Sequence, residues 1–278
     1  MDVTSIVDCA GKLLDLSQPK VMGILNITPD SFSDGGDFLS FDLAMEQAQR
    51  MIEEGAAIID VGGESTRPGA QSVTETEELD RVIPVIEGIA KDFSVPISID
   101  TSKPNVMKAA VAAGAGLIND VQALQAPDAI EVAADLNVPV CLMHMQGKPR
   151  TMQQNPCYSD VVSEVKNFLA QRVDCCIAAG ISRNQLLVDP GFGFGKSLDH
   201  NLMLLKNLKK IAELNLPVLI GISRKAMLGS LLDEPAHCRM HGGLAAAVLA
   251  VERGARIIRT HDVKPTVDAL AVTAAVSL

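Results

Sequence analysis

The chain has 278 residues, with 24 Lys+Arg against 34 Asp+Glu, a net charge of −10 and 47% hydrophobic residues. That is an ordinary globular composition with length enough for a large buried core. A pI near 5.0 argues against nucleic acid or an anionic membrane as the main partner.

The start of the chain carries Asp2 and Asp8 and no early Lys or Arg, which does not read as a secretory signal. The longest apolar stretch, residues 242–251, falls far short of the roughly 20 residues of a membrane span. Six cysteines include no CxxC pair, and Cys175–Cys176 are neighbours in a helical pattern where a mutual disulfide is geometrically awkward. A reduced, cytoplasmic protein is expected.

From residue 20 onward a short apolar run is followed repeatedly by a helical pattern. The runs lie at 21–27, 57–61, 97–100, 117–121, 140–143, 186–189, 218–222 and 257–259, and helices are predicted over 42–54, 75–91, 160–179 and 240–253 among others. Alternating strands and helices with continuously apolar strands mean a parallel sheet buried on both faces. Eight such units in one domain over 1–278, with 1–20 as a lead-in, match the (β/α)8 TIM barrel of roughly 250 residues; the alternative is a doubly wound open sheet.

The strand starts repeat two phrases. Strands 2, 4 and 8 follow Gly55-Ala56, Gly114-Ala115 and Gly254-Ala255; strands 3, 5 and 7 follow Val95-Pro96, Val138-Pro139 and Leu216-Pro217. Glycine suits a helix C-terminus and proline a strand's first residue. An alternating-layer barrel has a use for the even and odd distinction.

Polar residues gather where the strands end. In chain order these are Asn26; Asp60 and Glu64; Asp100; Asn119 and Asp120; His144; Asp189; Ser223, Arg224 and Lys225; and Arg259, His261 and Asp262. One polar strand end reads as a turn former or helix cap, but eight together read as a site, because in a barrel all eight converge on one rim.

Three patterns resemble motifs they do not match. Residues 190–197, Pro190-Gly191-Phe192-Gly193-Phe194-Gly195-Lys196-Ser197, are one residue too short for a P-loop and place Lys196 where a dinucleotide fingerprint needs glycine. The flanking Phe192 and Phe194 suit contact with a flat ring. His237 and His241 have metal-ligand spacing without an accompanying acid, and read as loop or cap residues. His144 fits a core edge as readily as a site.

The loops after strands 1 and 2 are the most informative. Val21-Met22-Gly23-Ile24-Leu25-Asn26-Ile27-Thr28-Pro29-Asp30-Ser31-Phe32-Ser33-Asp34-Gly35-Gly36 and Asp60-Val61-Gly62-Gly63-Glu64-Ser65-Thr66-Arg67-Pro68-Gly69 combine turn formers with charge and hydroxyls, a composition suited to loops that close over substrate. With Asp100-Thr101-Ser102, Ile118-Asn119-Asp120, the 189–196 loop, Ser223-Arg224-Lys225 and Arg259-Thr260-His261, they resemble the dihydropteroate synthases of bacterial folate biosynthesis, a pterin-binding TIM-barrel family, over roughly residues 20–275.

The resemblance implies that 4-aminobenzoate displaces pyrophosphate from a hydroxymethyl-dihydropterin diphosphate to give dihydropteroate, and that sulfonamides compete. It assigns the pterin to Asp100, Asn119, Met143, Asp189, Phe194, Gly221 and Lys225, with Asp100, Lys225 and Arg67 as the catalytic set. It assigns the diphosphate to Asn26, Thr66, Arg67, Arg259, Thr260 and His261. Aminobenzoate falls to Phe32, Thr66, Pro68, Phe192, Ser223 and Lys225. Mg2+ is the implied cofactor, with Asn26 its contact. The nearest rival is the pterin barrel that passes a folate methyl group to a corrinoid protein; it has no use for loops 1 and 2. A silent pterin-binding paralogue and a phosphosugar barrel are further alternatives. A homodimer is expected, because residues 242–251 and 269–276 are apolar on nearly all faces.

Overall fold

A computed structural model describes residues 5–27, 37–65, 73–148 and 151–277. It opens with a feature absent from the sequence reading. β1 (Ile6–Cys9) and β2 (Lys12–Asp15) pair antiparallel, with Cys9 opposite Lys12. The two residues between them, Ala10 and Gly11, both have positive φ, 53° and 87°, as a tight hairpin turn requires. The segment expected as a lead-in is therefore a β-hairpin.

Eight parallel strands then close into a barrel. They are β3 (Lys20–Asn26), β4 (Ile58–Gly62), β5 (Ile97–Asp100), β6 (Leu117–Asp120), β7 (Val140–Met143), β8 (Leu186–Asp189), β9 (Val218–Ile220) and β10 (Ala255–Thr260), with β10 pairing back onto β3. Around them run α1 (Asp37–Glu53), α2 (Glu75–Asp92), α3 (Pro104–Ala112), α4 (Ala129–Leu136), α5 (Val161–Ala178), α6 (Leu198–Lys206), α7 (Leu208–Ala212), α8 (Ala226–Leu232), α9 (Met240–Val251) and α10 (Val263–Ser277). Among the described residues no helix is long and apolar enough to cross a membrane.

The repeated phrases have a local cause. Gly55, Gly114 and Gly254 leave their helices at φ of 99°, 117° and 101°, conformations that a side chain disfavours. Before Pro139 and Pro217 the same left-handed exit is made by Asn137 and Asn215, at φ 52° and 55°. Asparagine tolerates that region better than other side chains, and the proline two residues later stops any continuation of the helix.

Strand side chains alternate between two layers. Ile59, Val61, Ile97, Ile99, Ile118, Val140, Leu142, Val188 and Ile220 belong to the main buried cluster, which also takes in residues of the helices. Met22, Ile58, Leu117, Cys141, Leu187, Leu219 and Ile257 form a separate cluster with Val7, Cys9, Leu14 and Leu16 of the hairpin. The hairpin thus closes the lower end of the barrel. Gly116 makes this docking possible, since any Cβ there would run into the Cys9 carbonyl.

Two residues further up each strand, the same alternation brings Asp60, Asp100, Asn119, Met143, Asp189, Gly221 and Arg259 to the upper end. Adjacent registers pair Gly62 with Asp100, Asp100 with Asn119 and Met143 with Asp189, so these positions form one ring.

Candidate functional site

Arg259 organises the ring. Its Nε donates to Asp60 Oδ2 at 2.5 Å and its Nη2 to Asp100 Oδ2 at 2.7 Å, while Asn119 Nδ2 reaches Asp60 Oδ2 at 3.2 Å. All four side chains are largely buried. Removing charges from water is costly, so burial is tolerated only where opposite charges and donors meet them. Burial pushes the Asp100 carboxyl up to about 7 against the pull of Arg259, with Asp60 adding to the rise. The two carboxylates hold the guanidinium firmly charged.

Asp189 and Lys225 form the opposite side. Asp189 Oδ1 accepts from the Gly191 N–H at 2.7 Å, and burial raises its carboxyl against the pull of Lys225. Burial brings the Lys225 ammonium down to about 8, opposed by Asp189. Lys225 Nζ donates to the Phe192 carbonyl and stands 4.4 Å over the Phe194 ring, a cation–π contact. Phe194 packs with Met143, Val121 and Met152, so an apolar wall lies beside the charged groups. Gly221 faces the Arg259 stem, which a Cβ there would meet at 3.8 Å.

Asp100 and Asp189 share a further property. One oxygen of each is bonded within the protein, to Arg259 and to Gly191, while the other accepts no hydrogen bond from the described residues. Two carboxylate oxygens, a lysine and a half-aromatic wall therefore meet at one mouth. That is the equipment for a flat, polar-edged ring bearing N–H donors.

Ser223 and His261 meet nearby. Ser223 Oγ lies 3.1 Å from His261 Nδ1 and accepts from the His261 N–H at 3.2 Å. Asn26 ends β3, half-buried. Among the described residues no group of three or more His, Cys, Asp or Glu could hold a metal ion. Asn26 offers a hard neutral amide oxygen, which fits a Mg2+ ion that takes its remaining ligands from water and phosphate oxygens.

A family profile described as pterin binding enzyme matches residues 22–261. The chain belongs to the pterin-binding enzymes. It is 54% identical over 261 residues to the dihydropteroate synthase of Haemophilus influenzae, covering 94% of this chain and 95% of that one. A Xanthomonas albilineans dihydropteroate synthase solved with 4-aminobenzoic acid superposes with a TM-score of 0.94 at 53% identity, covering 99% and 98% of the two chains. A Yersinia pestis dihydropteroate synthase in a sulfonamide drug complex gives 0.94 at 52% identity, covering 98% and 99%.

One expectation for this pterin-binding enzyme needs correction, and two more of the expected residues hold contacts within the protein. The Phe192 side chain is fully buried in the layer between barrel and helices, so it is no wall for aminobenzoate; only its carbonyl faces the mouth. The Thr260 hydroxyl is buried and accepts from the Asp262 N–H at 3.0 Å, at the start of α10. Arg259, expected at the diphosphate, has its guanidinium on the Asp60 and Asp100 carboxylates. Phe32, Thr66, Arg67 and Pro68 lie outside the described residues.

Sequence reasoning noted Asp60 as a polar strand end but gave it no role. The structure makes it the second carboxylate on Arg259, and strand parity was the available signal, since Asp60 lies two residues beyond Ile58. Asp120, next to Asn119, has the other parity and instead accepts from Ser102 and from the Gln122 and Leu124 N–H groups. Glu64 and buried Glu78 are bridged by Lys103, and Arg81 donates to the Gly63 carbonyl at 2.9 Å, fixing the chain where it leaves β4.

Proposed function

We propose that this pterin-binding enzyme is a dihydropteroate synthase, joining a hydroxymethyl-dihydropterin diphosphate to 4-aminobenzoate with release of pyrophosphate. The observation that carries the reading is the pair of half-used carboxylates, Asp100 and Asp189, across the mouth from each other beside Lys225 and Phe194. The pterin's N–H edge supplies donors to Asp100 and Asp189, Asn119 adds an amide, and Lys225 donates to a ring oxygen or nitrogen. Phe194 and Met143 flank a face of the ring.

The reaction breaks the bond between the pterin methylene carbon and a diphosphate oxygen, and the electron pair leaves with the diphosphate. The methylene carbon, conjugated with an electron-rich ring, tolerates the positive charge that develops. Asp100 in its ionised form offsets that charge. Its carboxyl, raised to about 7 without ligand, becomes the stronger counter-charge as the ring turns cationic. The arylamine nitrogen then bonds to the methylene carbon and loses one proton; no covalent enzyme intermediate is needed. His261 and Ser223, linked to each other, border the leaving group and the aminobenzoate carboxylate, with Arg67 and Thr66 completing the anion site.

Asn26 would hold a Mg2+ ion, which when bound supplies charge neutralisation to the diphosphate oxygens. Aminobenzoate, and sulfonamides that imitate it, bind after the pterin and its anion, because Phe32 and Pro68 belong to loops tied to that anion through Asn26 and Arg67.

The chain acts in the cytoplasm, which its cysteine usage supports: the described structure leaves all six cysteines free. It acts as a homodimer, which the outer faces of α9 and α10 support, with Leu249 39%, Val272 66% and Val276 82% exposed.

Incubation of the protein with both substrates and Mg2+ tests the function. Dihydropteroate and pyrophosphate are expected in equal amounts, and neither should form without aminobenzoate. Release of pyrophosphate alone, or no turnover, would overturn it.

A further inference from the structure

One buried charge beside the mouth faces away from it. Lys196 follows the loop of Gly191, Gly193 and Gly195, and is only 3% exposed. Its Nζ lies 2.9 Å from the Gly191 carbonyl, 3.0 Å from the Phe194 carbonyl and 2.9 Å from His144 Nδ1. An ammonium has three hydrogens and no acceptor, so the three acceptors within 3.0 Å take all of them, and the His144 carbonyl at 3.4 Å shares one. The residue that made the segment look like a phosphate loop is folded under that loop.

The loop needs such a tie. Its three glycines stand at φ of 69°, 79° and 62°, which prevents regular structure, and Phe194 N to Gly191 O at 3.2 Å is its one internal backbone bond. Asn201 accepts from the Gly193 N–H at 2.8 Å, Tyr158 donates to the Gly195 carbonyl at 2.8 Å and Gln153 donates to the Gly193 carbonyl. Each of these reaches one residue among 191–195. Lys196 alone joins two carbonyls of the loop to the end of the neighbouring strand through His144. The outer side of this loop carries the Phe192 carbonyl and the Phe194 ring, both against Lys225.

We propose that Lys196 is a positioning residue of the pterin site: its three donated hydrogen bonds fix the 191–195 loop in the form that presents Phe194 and the Phe192 carbonyl to Lys225. The role rests on the reading of this mouth as the pterin site, and Lys196 itself touches no substrate.

The charges around Lys196 fit the role. Asp189 favours its ammonium, while burial and Lys225 oppose it and bring it down to about 7. A neutral amine would offer two hydrogens to three acceptors, so the charged form is the one that holds the loop. Burial and Lys196 push His144 down to about 3, which keeps the imidazole neutral with Nδ1 as an acceptor. The far side of the ring meets Phe168 edge-on at 4.9 Å and Tyr158 at 6.1 Å, and Tyr158 in turn meets His200. His144 is thus a supporting acceptor rather than a ligand-binding residue.

The test uses calorimetric titration with 6-hydroxymethylpterin, the substrate ring without its diphosphate, alongside steady-state kinetics. Lys196→Met is expected to weaken pterin binding about tenfold, the usual scale for losing bonds to a charged donor. KM for the pterin diphosphate should rise in step, with a smaller change in kcat. A folded Lys196→Met that binds within about twofold of wild type overturns the proposal. If Lys196→Met fails to fold, the His144 variants decide. His144→Asn keeps an acceptor near the Nδ1 position and should stay close to wild type, while His144→Leu should bind about fivefold more weakly. Equal affinity in those two overturns it as well. Wild-type protein that does not bind the pterin at all overturns the reading of the mouth, and the role of Lys196 with it.

Discussion

The two ends of the barrel are built by the same strands and differ by one step of the pleat. At the lower end Met22, Ile58, Leu117, Leu187 and Ile257 meet Val7, Leu14 and Leu16 of the hairpin in one apolar cluster. Two residues higher, Asp60, Asp100, Asn119, Asp189 and Arg259 occupy the same inward face. The lower end gains stability by removing apolar surface from water. The upper end gives some of that up, because its carboxylates are desolvated and Asp100 is raised to about 7. Apolar burial and chemistry are thus separated along the barrel axis: lower-end mutations should cost stability alone, and upper-end mutations should cost function as well.

The largest stability effect is expected at the upper end, where the charges depend on one cation. Arg259→Met leaves Asp60 and Asp100 buried without their partner and should cost about 3–5 kcal/mol by urea unfolding. Retention of wild-type stability would show that the carboxylates are not held by that pair. Leu16→Ala tests the lower end: the side chain is 2% exposed in the hairpin cluster, and its truncation should cost about 2–5 kcal/mol. Activity of the fraction still folded should not change.

A pH series sharpens the comparison further. Folding raises Asp100 from 3.8 to about 7, so across that window the folded state holds more proton than the unfolded one. Its contribution therefore lowers the stability of the ligand-free protein as pH rises from about 4 to about 7. Asp100→Asn should flatten that part of the profile, and an unchanged profile would remove Asp100 as its source. The smallest effect is expected outside both ends. Thr74 caps α2, accepting from the Glu77 N–H while Glu77 returns to the Thr74 N–H. Thr74→Ala should cost about 1 kcal/mol, read from the urea midpoint.

The barrel was legible because each strand is a short apolar run and most helix exits are punctuated by glycine or asparagine. The mouth was legible because polar residues recur at the ends of those runs. An apolar run marks where a strand ends but not which face each end residue takes, and that parity is what separates Asp60 and Asn119 from Asp120. Phe192 and Phe194 sit in identical glycine surroundings, yet one is buried under the barrel wall and the other faces Lys225. Three left-handed glycines turn the chain in ways that no periodicity encodes. The hairpin was missed although 6–16 alternates in burial, because the segment is short and its turn is Ala10-Gly11 rather than a stronger signal such as Asn-Gly. The role of Lys196 is not legible in the sequence, because its main side-chain partner, His144, is distant along the chain.

The most direct test of this division measures dihydropteroate formation by Asp100→Asn and Leu16→Ala side by side, well below the unfolding temperature of each. Asp100→Asn should remain folded and lose about 10²–10³-fold in kcat/KM for the pterin diphosphate, the scale of removing one group that stabilises transition-state charge. Leu16→Ala should keep kcat/KM close to wild type while unfolding more readily. Comparable kcat/KM in the two variants, or full activity in Asp100→Asn, would contradict the assignment of pterin recognition and charge stabilisation to the upper ring.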